Sequence, residues 1–343
     1  MKKNSLLNHP FWQVSDPSNM RLVRIFGWPT EANPFAEDGV IIKIAAAPGE
    51  VPYHKAPTAR EGILDGIRRG LITPDTTVVE ATSGNTGLAM LAICNLLGLN
   101  FVPVIAGDVP GPKLDVMRAL GGIGGNVNFR APERGETTVE CARRLGAQDG
   151  WYNPDQYGGE WNPQSHCEYL ARQLFGQTRA SVFVAPGGTM GTCIGVARYA
   201  NGFGQFTKVV PVMCAEGQEV PAVRTLPRVK KDVLLPWQKS LAETDIQFAT
   251  RFASFALSFA SWRYIPVQLG PSFGLAFVGA LKFLREHKAA GTLDQFRKPD
   301  GRIYVVVFGP DDYKPYTALY LGGPFYGEGN FAKANLLDLI DLV

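Results

Sequence analysis

Short apolar strands that alternate with helices constrain the fold of this chain more than any other feature of its sequence. The β-branched run 77–80 is followed by a helical segment, 88–97, and then by a second apolar run, 101–105. The same order recurs later, where the run 181–185 leads through a glycine-rich turn into the helical segment 192–199. Strands and helices in this order, joined by short loops, form parallel sheets with helices on both faces. The sequence therefore predicts an α/β fold.

A chain of 343 residues exceeds what one hydrophobic core usually organises, so we expect two α/β domains. The polar loop near residue 150 is the expected boundary between them. A further strand is predicted over 126–129. The predicted divisions are an N-terminal arm that packs on the larger domain, a smaller α/β domain, a larger α/β domain and a C-terminal tail, over residues 1–39, 40–150, 151–317 and 318–343.

Composition excludes several classes of protein. Lys and Arg number 34 against 31 Asp and Glu, a balance that does not suggest nucleic acid or a membrane surface as a partner. The five cysteines are scattered, without the spacing of a metal site, as is typical of reduced thiols. No apolar stretch approaches the roughly 18 residues of a membrane-spanning helix, and the N-terminus has no signal-like apolar run. We expect a cytoplasmic protein without a metal.

Two loops that run from a strand into a helix carry the residues best suited to bind a ligand. Residues 82–87 supply hydroxyls, an amide and glycines where helix N–H groups converge, which suits a carboxylate. Residues 186–192 contain three glycines that let the backbone approach a phosphate. This second loop matches neither the ATP-binding nor the dinucleotide-binding glycine pattern, so a monophosphate is expected. Either loop alone could also be an ordinary capped turn.

A ligand with one phosphate, next to a reacting amino acid, asks for a lysine that can form a Schiff base, as pyridoxal phosphate requires. Lys55 lies between a loop and the start of a helix, which is the placement of a positioned group. A lysine without such a role is normally exposed at the surface. Lys55 is therefore the candidate for cofactor attachment.

With these residues, the chain resembles fold type II, or the β-family, of pyridoxal-phosphate enzymes, and in particular cysteine synthase and cystathionine β-synthase. Lys55 precedes Gly70-Leu71-Ile72 by the family's interval, and Thr82-Ser83-Gly84-Asn85-Thr86-Gly87 matches the family motif without change. The resemblance extends over about residues 20–317. Its further matches are Gln156-Tyr157 with Asn162-Pro163 and His166, Gly188-Thr189-Met190-Gly191-Thr192, and Gly270-Pro271-Ser272-Phe273-Gly274.

The resemblance implies an architecture like the β subunit of tryptophan synthase, with two open, twisted α/β domains, pyridoxal 5'-phosphate in the cleft between them, and a homodimer. Lys55 would be the catalytic residue and would hold the cofactor, and Asn85 would bond its 3′ oxygen. Ser272 would face the pyridine nitrogen, although a shift of one residue would place Phe273 there. The phosphate would be bound by Gly188, Thr189, Met190, Gly191 and Thr192. The substrate carboxylate would be bound by Thr82, Ser83, Gly84, Thr86 and Gln156.

The reaction implied by the resemblance is β-replacement on a serine-type amino acid, such as O-acetylserine, O-phosphoserine or serine, through an aminoacrylate. Lys55 would remove the α proton and return it. Two alternatives stay open, namely a β-eliminating lyase or a synthase of the 2,3-diaminopropionate type, and a protein that binds the cofactor without cysteine synthase activity.

The departures from the family pattern concern the substrate. Ala56 and Pro57 replace the acidic and basic residues that follow the family's lysine, and the family's pocket-lining segment is not found between residues 216 and 255. His54 would tune Lys55 or serve only the structure, and we expect a structural role for His166. The aromatic residues of 248–262 predict core or a subunit contact.

Overall fold

The computed structural model describes residues 5–47, 55–82, 84–105, 111–123, 125–220 and 223–310. Ser83, His54 and the tail predicted over 318–343 lie outside these ranges. Within them, no helix combines the length and the apolar character needed to cross a membrane.

Six strands form the larger sheet, in the order β1-β2-β9-β6-β7-β8. They are β1 Arg24–Gly27, β2 Val40–Ala47, β6 Val182–Pro186, β7 Lys208–Cys214, β8 Gln247–Ala249 and β9 Ile303–Pro310. Only β1 runs antiparallel to its neighbour in this sheet, and the other pairs are parallel. The interior strands are buried along nearly their whole length, which is why they appear in the sequence as continuous apolar runs rather than alternating ones.

The smaller sheet has three parallel strands in the order β4-β3-β5, formed by β3 Thr77–Ala81, β4 Asn100–Val104 and β5 Trp151–Tyr152. The strand predicted over 126–129 does not form. Its Val127 carbonyl accepts the N–H of Phe129, two residues on, at 3.2 Å, so the chain bends there instead of pairing. A single bridge between Val104 and Arg130 is what remains of that expected strand.

Helices cover both sheets. Their bounds are α1 Phe11–Val14, α2 Ala56–Arg68, α3 Asn85–Leu97, α4 Gly111–Leu120, α5 Thr138–Gly146, α6 Trp161–Ser165, α7 Arg172–Gln177, α8 Gly191–Gly202, α9 Leu226–Asp232, α10 Arg251–Ser261 and α11 Pro271–Ala289. A π-helical turn, His166–Ala171, joins α6 to α7. Helix α10 contains most of the aromatic segment, and its Phe255 is fully buried.

The N-terminal arm is divided between the two sheets rather than packed on the larger one alone. Strand β1 pairs with β2, and Trp28 packs edge-on against Phe277 of α11, with 4.6 Å between the ring centroids. Trp12, however, joins the apolar cluster of the smaller sheet, where the Arg60 guanidinium of α2 lies 5.4 Å from its ring. The arm spans both because each apolar surface offers partners for its large side chains.

The sheet membership of β2 also differs from the predicted division at residue 40. Residues 40–47 pair in parallel with residues 303–310, so this strand belongs to the larger sheet. Conversely, β5, at residues 151–152, belongs to the smaller sheet. Parallel partners are brought together by long connections, so membership does not follow the order of the chain.

The crossing of α10 and α11 depends on Gly274, where an added Cβ would overlap the backbone carbonyl oxygen of Ser254. We expect Gly274→Ala to lower the free energy of unfolding by about 3 kcal/mol, because the helices must separate. Urea denaturation measures the change. Gly176→Ala in α7 is the control, since no atom lies within 4 Å of the added methyl group and the helix should be stabilised by up to about 1 kcal/mol. Equal stabilities for the two variants would contradict this account.

Candidate active site

A cleft lies where the carboxyl ends of the parallel strands meet the following helices, as is usual for ligand sites in open α/β sheets. It encloses ≈ 800 Å³ of empty space, including the part open to solvent. Its lining residues are Lys55, Thr82, Gly84, Asn85, Thr86, Gln156, Tyr157, Pro186, Gly188, Thr189, Met190, Gly191, Thr192, Val223, Ser272, Phe308 and Pro310. Every site residue predicted from the sequence is therefore at this cleft, except Ser83, which lies outside the described residues.

Lys55 stands directly before α2, and its side chain reaches the cleft. Burial of its ammonium group lowers the pKa of Lys55 to about 8, and the nearby Cys193 acts weakly in the opposite direction. Burial favours the uncharged amine because the low-dielectric interior solvates a cation poorly. Lys55 is thus the neutral nucleophile near neutral pH far more often than an exposed lysine would be.

His166 lies beside Lys55, although the sequence gave it only a structural role. Its Nε2 atom is 3.4 Å from Lys55 Nζ, 3.3 Å from Thr192 Oγ1 and 3.5 Å from Thr58 Oγ1. The imidazole is almost fully buried in the π-helical turn between α6 and α7. His166 therefore connects the lysine with the first turn of α8. The available signal was its position in the Asn-Pro…His stretch, but sequence spacing does not reveal a contact with residue 55.

The loop after β3 is shaped around Thr82. The Thr82 hydroxyl oxygen accepts the N–H groups of Gly84 at 3.3 Å and Gly87 at 2.9 Å. A hydroxyl that accepts two hydrogen bonds still has its own hydrogen to donate. Position 87 requires glycine, because an added Cβ there would overlap the side chain of Thr82. The loop thus presents a hydroxyl donor to an anion at the positive N-terminal end of α3.

The loop before α8 holds Met190 in a left-handed conformation, with φ of 64°. This conformation strains a residue with a side chain. Burial of the Met190 side chain in the apolar cluster between the larger sheet and α8 offsets the strain.

Asn162 supports this loop from α6. Its Nδ2 atom donates to Thr189 Oγ1 at 2.9 Å and to the Gln156 carbonyl at 2.7 Å, so one amide joins the phosphate loop to the segment after β5. Gly191 packs directly on it, since an added Cβ would overlap Asn162 Oδ1. The expected phosphate-binding residues therefore have a rigid backing.

At the start of α11, Ser272 lines the cleft, whereas Phe273 is fully buried in the core. The geometry favours Ser272 over Phe273 for the position next to the cofactor ring. A serine hydroxyl is neutral, so this wall presents no charge.

The segment 216–262, which the sequence did not explain, supplies the remaining wall. Val223 lines the cleft, and Arg224 donates to the hydroxyl of Tyr157 at 2.8 Å from Nη2 and 3.2 Å from Nε. Arg224 Nη1 also pairs with the buried carboxylate of Asp232 in α9. These residues occupy the place where the family's pocket-lining segment was sought, and no motif in the sequence indicated them.

A family model described as pyridoxal-phosphate-dependent enzyme matches residues 54–249, which is more than half of the chain. The chain belongs to this family. Its cofactor is pyridoxal phosphate, as the sequence predicted.

Curated relatives agree with this membership. Cysteine synthase from Dictyostelium discoideum is 33% identical over 156 residues, which cover 44% of this chain and 40% of that protein. O-ureido-L-serine synthase from Streptomyces lavendulae is 31% identical over 139 residues, covering 40% of this chain and 42% of the relative. The matched part of the chain thus spans about half the length, or less, of the curated relatives it matches.

The fold extends over nearly the whole chain. The crystal structure of cysteine synthase from Entamoeba histolytica superposes with a TM-score of 0.71 at 17% identity, covering 95% of this chain and 94% of the other. The fold type II architecture predicted from the sequence is confirmed.

The residues present fit the cofactor. A lysine with a lowered pKa, a glycine loop held at a helix N-terminus by Asn162, and a neutral serine meet in one cleft. We expect Lys55 to attach the cofactor, the loop from Gly188 to Thr192 to bind its phosphate, and Asn85 and Ser272 to contact its ring.

Cofactor attachment should depend on pH through Lys55. The protonated amine cannot attack an aldehyde, so we expect the rate at which the cofactor-free protein takes up pyridoxal phosphate to rise with pH and to level off above about pH 8. The growth of visible absorption after mixing measures this rate. Lys55→Ala should show no such band, and a rate independent of pH between about 6 and about 9 would contradict the lowered pKa.

A methyl group at position 191 should weaken cofactor binding. Gly191→Ala would push the loop away from Asn162 and misplace donors to the phosphate, so the dissociation constant for pyridoxal phosphate should rise about tenfold or more. Equilibrium dialysis measures it. Gly202→Ala, at the far end of α8 with no atom within 4 Å of the added methyl, is the matched control and should bind normally. Equal affinities for the two variants would argue against this loop as the phosphate site.

Proposed function

We propose that the protein catalyses β-replacement on a serine-type amino acid, in the manner of a cysteine synthase. The observation that carries this proposal is the cleft itself, which Lys55 lines together with the loop suited to a carboxylate and the loop suited to a phosphate. The lowered pKa of Lys55 and the matched segments of cysteine synthase and O-ureido-L-serine synthase support it. O-acetylserine, O-phosphoserine and serine are the candidate donors.

When bound, pyridoxal phosphate withdraws electrons from an amino acid joined to it and makes the α proton acidic. The neutral amine of Lys55 is the base that accepts this proton, and it later returns the proton to the α carbon. His166 Nε2, 3.4 Å from Lys55 Nζ, orients the amine while it carries the proton. No separate acid or base is needed for this exchange.

The substrate carboxylate is bound by donors rather than by a cation. The Thr82 hydroxyl, the Gln156 amide and the first N–H groups of α3 surround its expected position. No described residue that lines the cleft carries a carboxylate, and the neutral Ser272 would leave the pyridine nitrogen unprotonated. With this uncharged partner, the cofactor would supply electron withdrawal suited to loss of the β-substituent.

The proposal predicts release of acetate, phosphate or water from at least one of the three donors in the presence of a nucleophile such as sulfide. Lys55→Ala should lower this rate about a thousandfold or more, because the base is lost. Lys288→Ala, which removes a surface lysine paired with Asp38, is the control and should leave the rate unchanged. Product analysis by mass spectrometry measures the outcome.

The same assay separates the alternatives. Pyruvate and ammonia formed without a nucleophile would indicate a β-eliminating lyase, and a product formed only with an amine would indicate a synthase of the 2,3-diaminopropionate type. A visible cofactor band without turnover of any donor would identify a protein that binds the cofactor but has lost this chemistry, and the proposal would fail.

We extend the proposal to a cytoplasmic homodimer, which the family resemblance implies. The thiols of the protein support a reducing compartment, since all five are free. Four of the five are buried and inert toward oxidation, namely Cys94, Cys141, Cys193 and Cys214.

A further inference from the structure

Glu80 is a fully buried carboxylic acid at the end of β3, directly before the loop that faces the substrate carboxylate. None of the steps proposed above uses it. A carboxylate removed from water is costly unless its oxygens are hydrogen-bonded, so its partners show what holds it there.

Both oxygens of Glu80 accept backbone N–H groups. Oε1 accepts the N–H of Ala81 at 2.9 Å, and Oε2 accepts the N–H of Gln156 at 3.1 Å. Gln156 in turn donates its side-chain Nε2 to the carbonyl of Ala81 at 2.6 Å. Two of these three hydrogen bonds thus tie the end of β3 to the segment that carries Gln156.

These hydrogen bonds take the place of the β3–β5 strand pairing, which ends before it reaches Glu80. Strand β5 pairs with β3 only at Thr77 and Val78. The Thr82 N–H donates to the Val104 carbonyl of β4, whereas the Thr77 N–H donates to the Gly150 carbonyl on the side of β5. Backbone groups of successive residues point to opposite sides of a strand, so the N–H and the carbonyl of Ala81 both point towards β5. The side chains of Glu80 and Gln156 satisfy the Ala81 N–H and carbonyl in place of a strand. The chain can therefore leave the sheet and open the cleft without unpaired backbone groups.

The contact also fixes the direction of the Gln156 amide. With Nε2 held on the Ala81 carbonyl, the opposite orientation would set two oxygens against each other. The second hydrogen of Nε2 then remains for a ligand in the cleft that Gln156 lines. Glu80 holds the backbone of the same residue, so both ends of Gln156 are positioned.

The charges around Glu80 come from neighbouring segments. Burial raises the pKa of its carboxyl group well above the usual value, and Asp155 acts in the same direction, while the two N–H groups and Arg143 oppose them. Arg143 is itself paired with Asp155, at 2.9 Å and 3.1 Å. Each Glu80 oxygen keeps a lone pair for its N–H donor in either protonation state, so the hydrogen bonds to Ala81 and Gln156 persist.

We propose that Glu80 is a positioning residue that makes the site selective for ligands with an α-carboxylate, acting through Gln156. This inference rests on the proposed function, because it concerns the same amino-acid site. Glu80 contacts neither substrate nor cofactor.

Glu80→Gln tests the proposal. The NH₂ group of the new amide would face the backbone N–H of either Ala81 or Gln156, so one of these two N–H groups would lose its acceptor. The dissociation constant for L-alanine, read from the shift of the cofactor's visible band, should rise about tenfold. The value for ethylamine, which lacks the carboxylate, and the affinity for pyridoxal phosphate should not change. Glu133→Gln, an exposed glutamate paired with Arg144, is the matched control and should behave like the parent protein.

A double-variant cycle separates positioning from general loosening. If Glu80 acts through Gln156, adding Glu80→Gln to Gln156→Ala should weaken L-alanine binding no further. Should Glu80→Gln fail to fold, Glu80→Asp, which shortens the side chain by one methylene, should show the same selective loss. Equal weakening of L-alanine and ethylamine, additive effects in the cycle, or unchanged L-alanine binding would each overturn the inference.

A different result tests the proposed function. If the parent protein turns over none of the three donors, the proposed function fails, whatever the binding data show for Glu80. L-Alanine and ethylamine carry no leaving group, so their binding reports on Glu80 whether or not a β-replacement follows.

Discussion

The parallel pairing of β2 with β9 is the constraint on which the site depends. It joins residues 40–47 to residues 303–310 in eight consecutive pairs, so an early strand and the last described strand end at the same edge. Lys55 follows the first of these strands along the chain, and Pro310, at the end of the second, lines the cleft. The carboxyl end of β6, in the same sheet, adds its loop beside them because parallel strands end together, and the loop after β3 of the smaller sheet lines the same cleft. The cleft is therefore a consequence of strand direction.

Within that frame, hydrogen bonds of buried polar side chains organise the cleft. Asn162 joins Thr189 to Gln156, His166 joins Lys55 to Thr192, and Glu80 joins Gln156 to β3. Such bonds fix side-chain directions without placing a fixed counter-charge beside the lysine. A buried lysine without a close carboxylate keeps a lowered pKa, and its amine stays available.

Residues within one loop were predictable, because a strand followed by glycines, hydroxyls and a helix has local chemical meaning. The loops 82–87 and 186–192 and the lysine at 55 were recognised in this way, and apart from Ser83 they line one cleft. His166, Arg224 and Glu80 were not recognised, since each acts on a residue more than 60 positions away along the chain. A lone histidine, arginine or glutamate looks the same in a sequence whether it faces solvent or a distant loop.

The sequence by itself determined the alternation of strands and helices, the family and the candidate cofactor, because these follow from local periodicity and contiguous motifs. Only the tertiary structure decided that β2 belongs to the larger sheet, that 126–129 bends instead of pairing, and that Val223 lines the cleft while Arg224 holds Tyr157. Strand partners and cleft walls are chosen by burial and hydrogen bonding between segments far apart in the chain. Such contacts leave no periodic pattern in either segment alone.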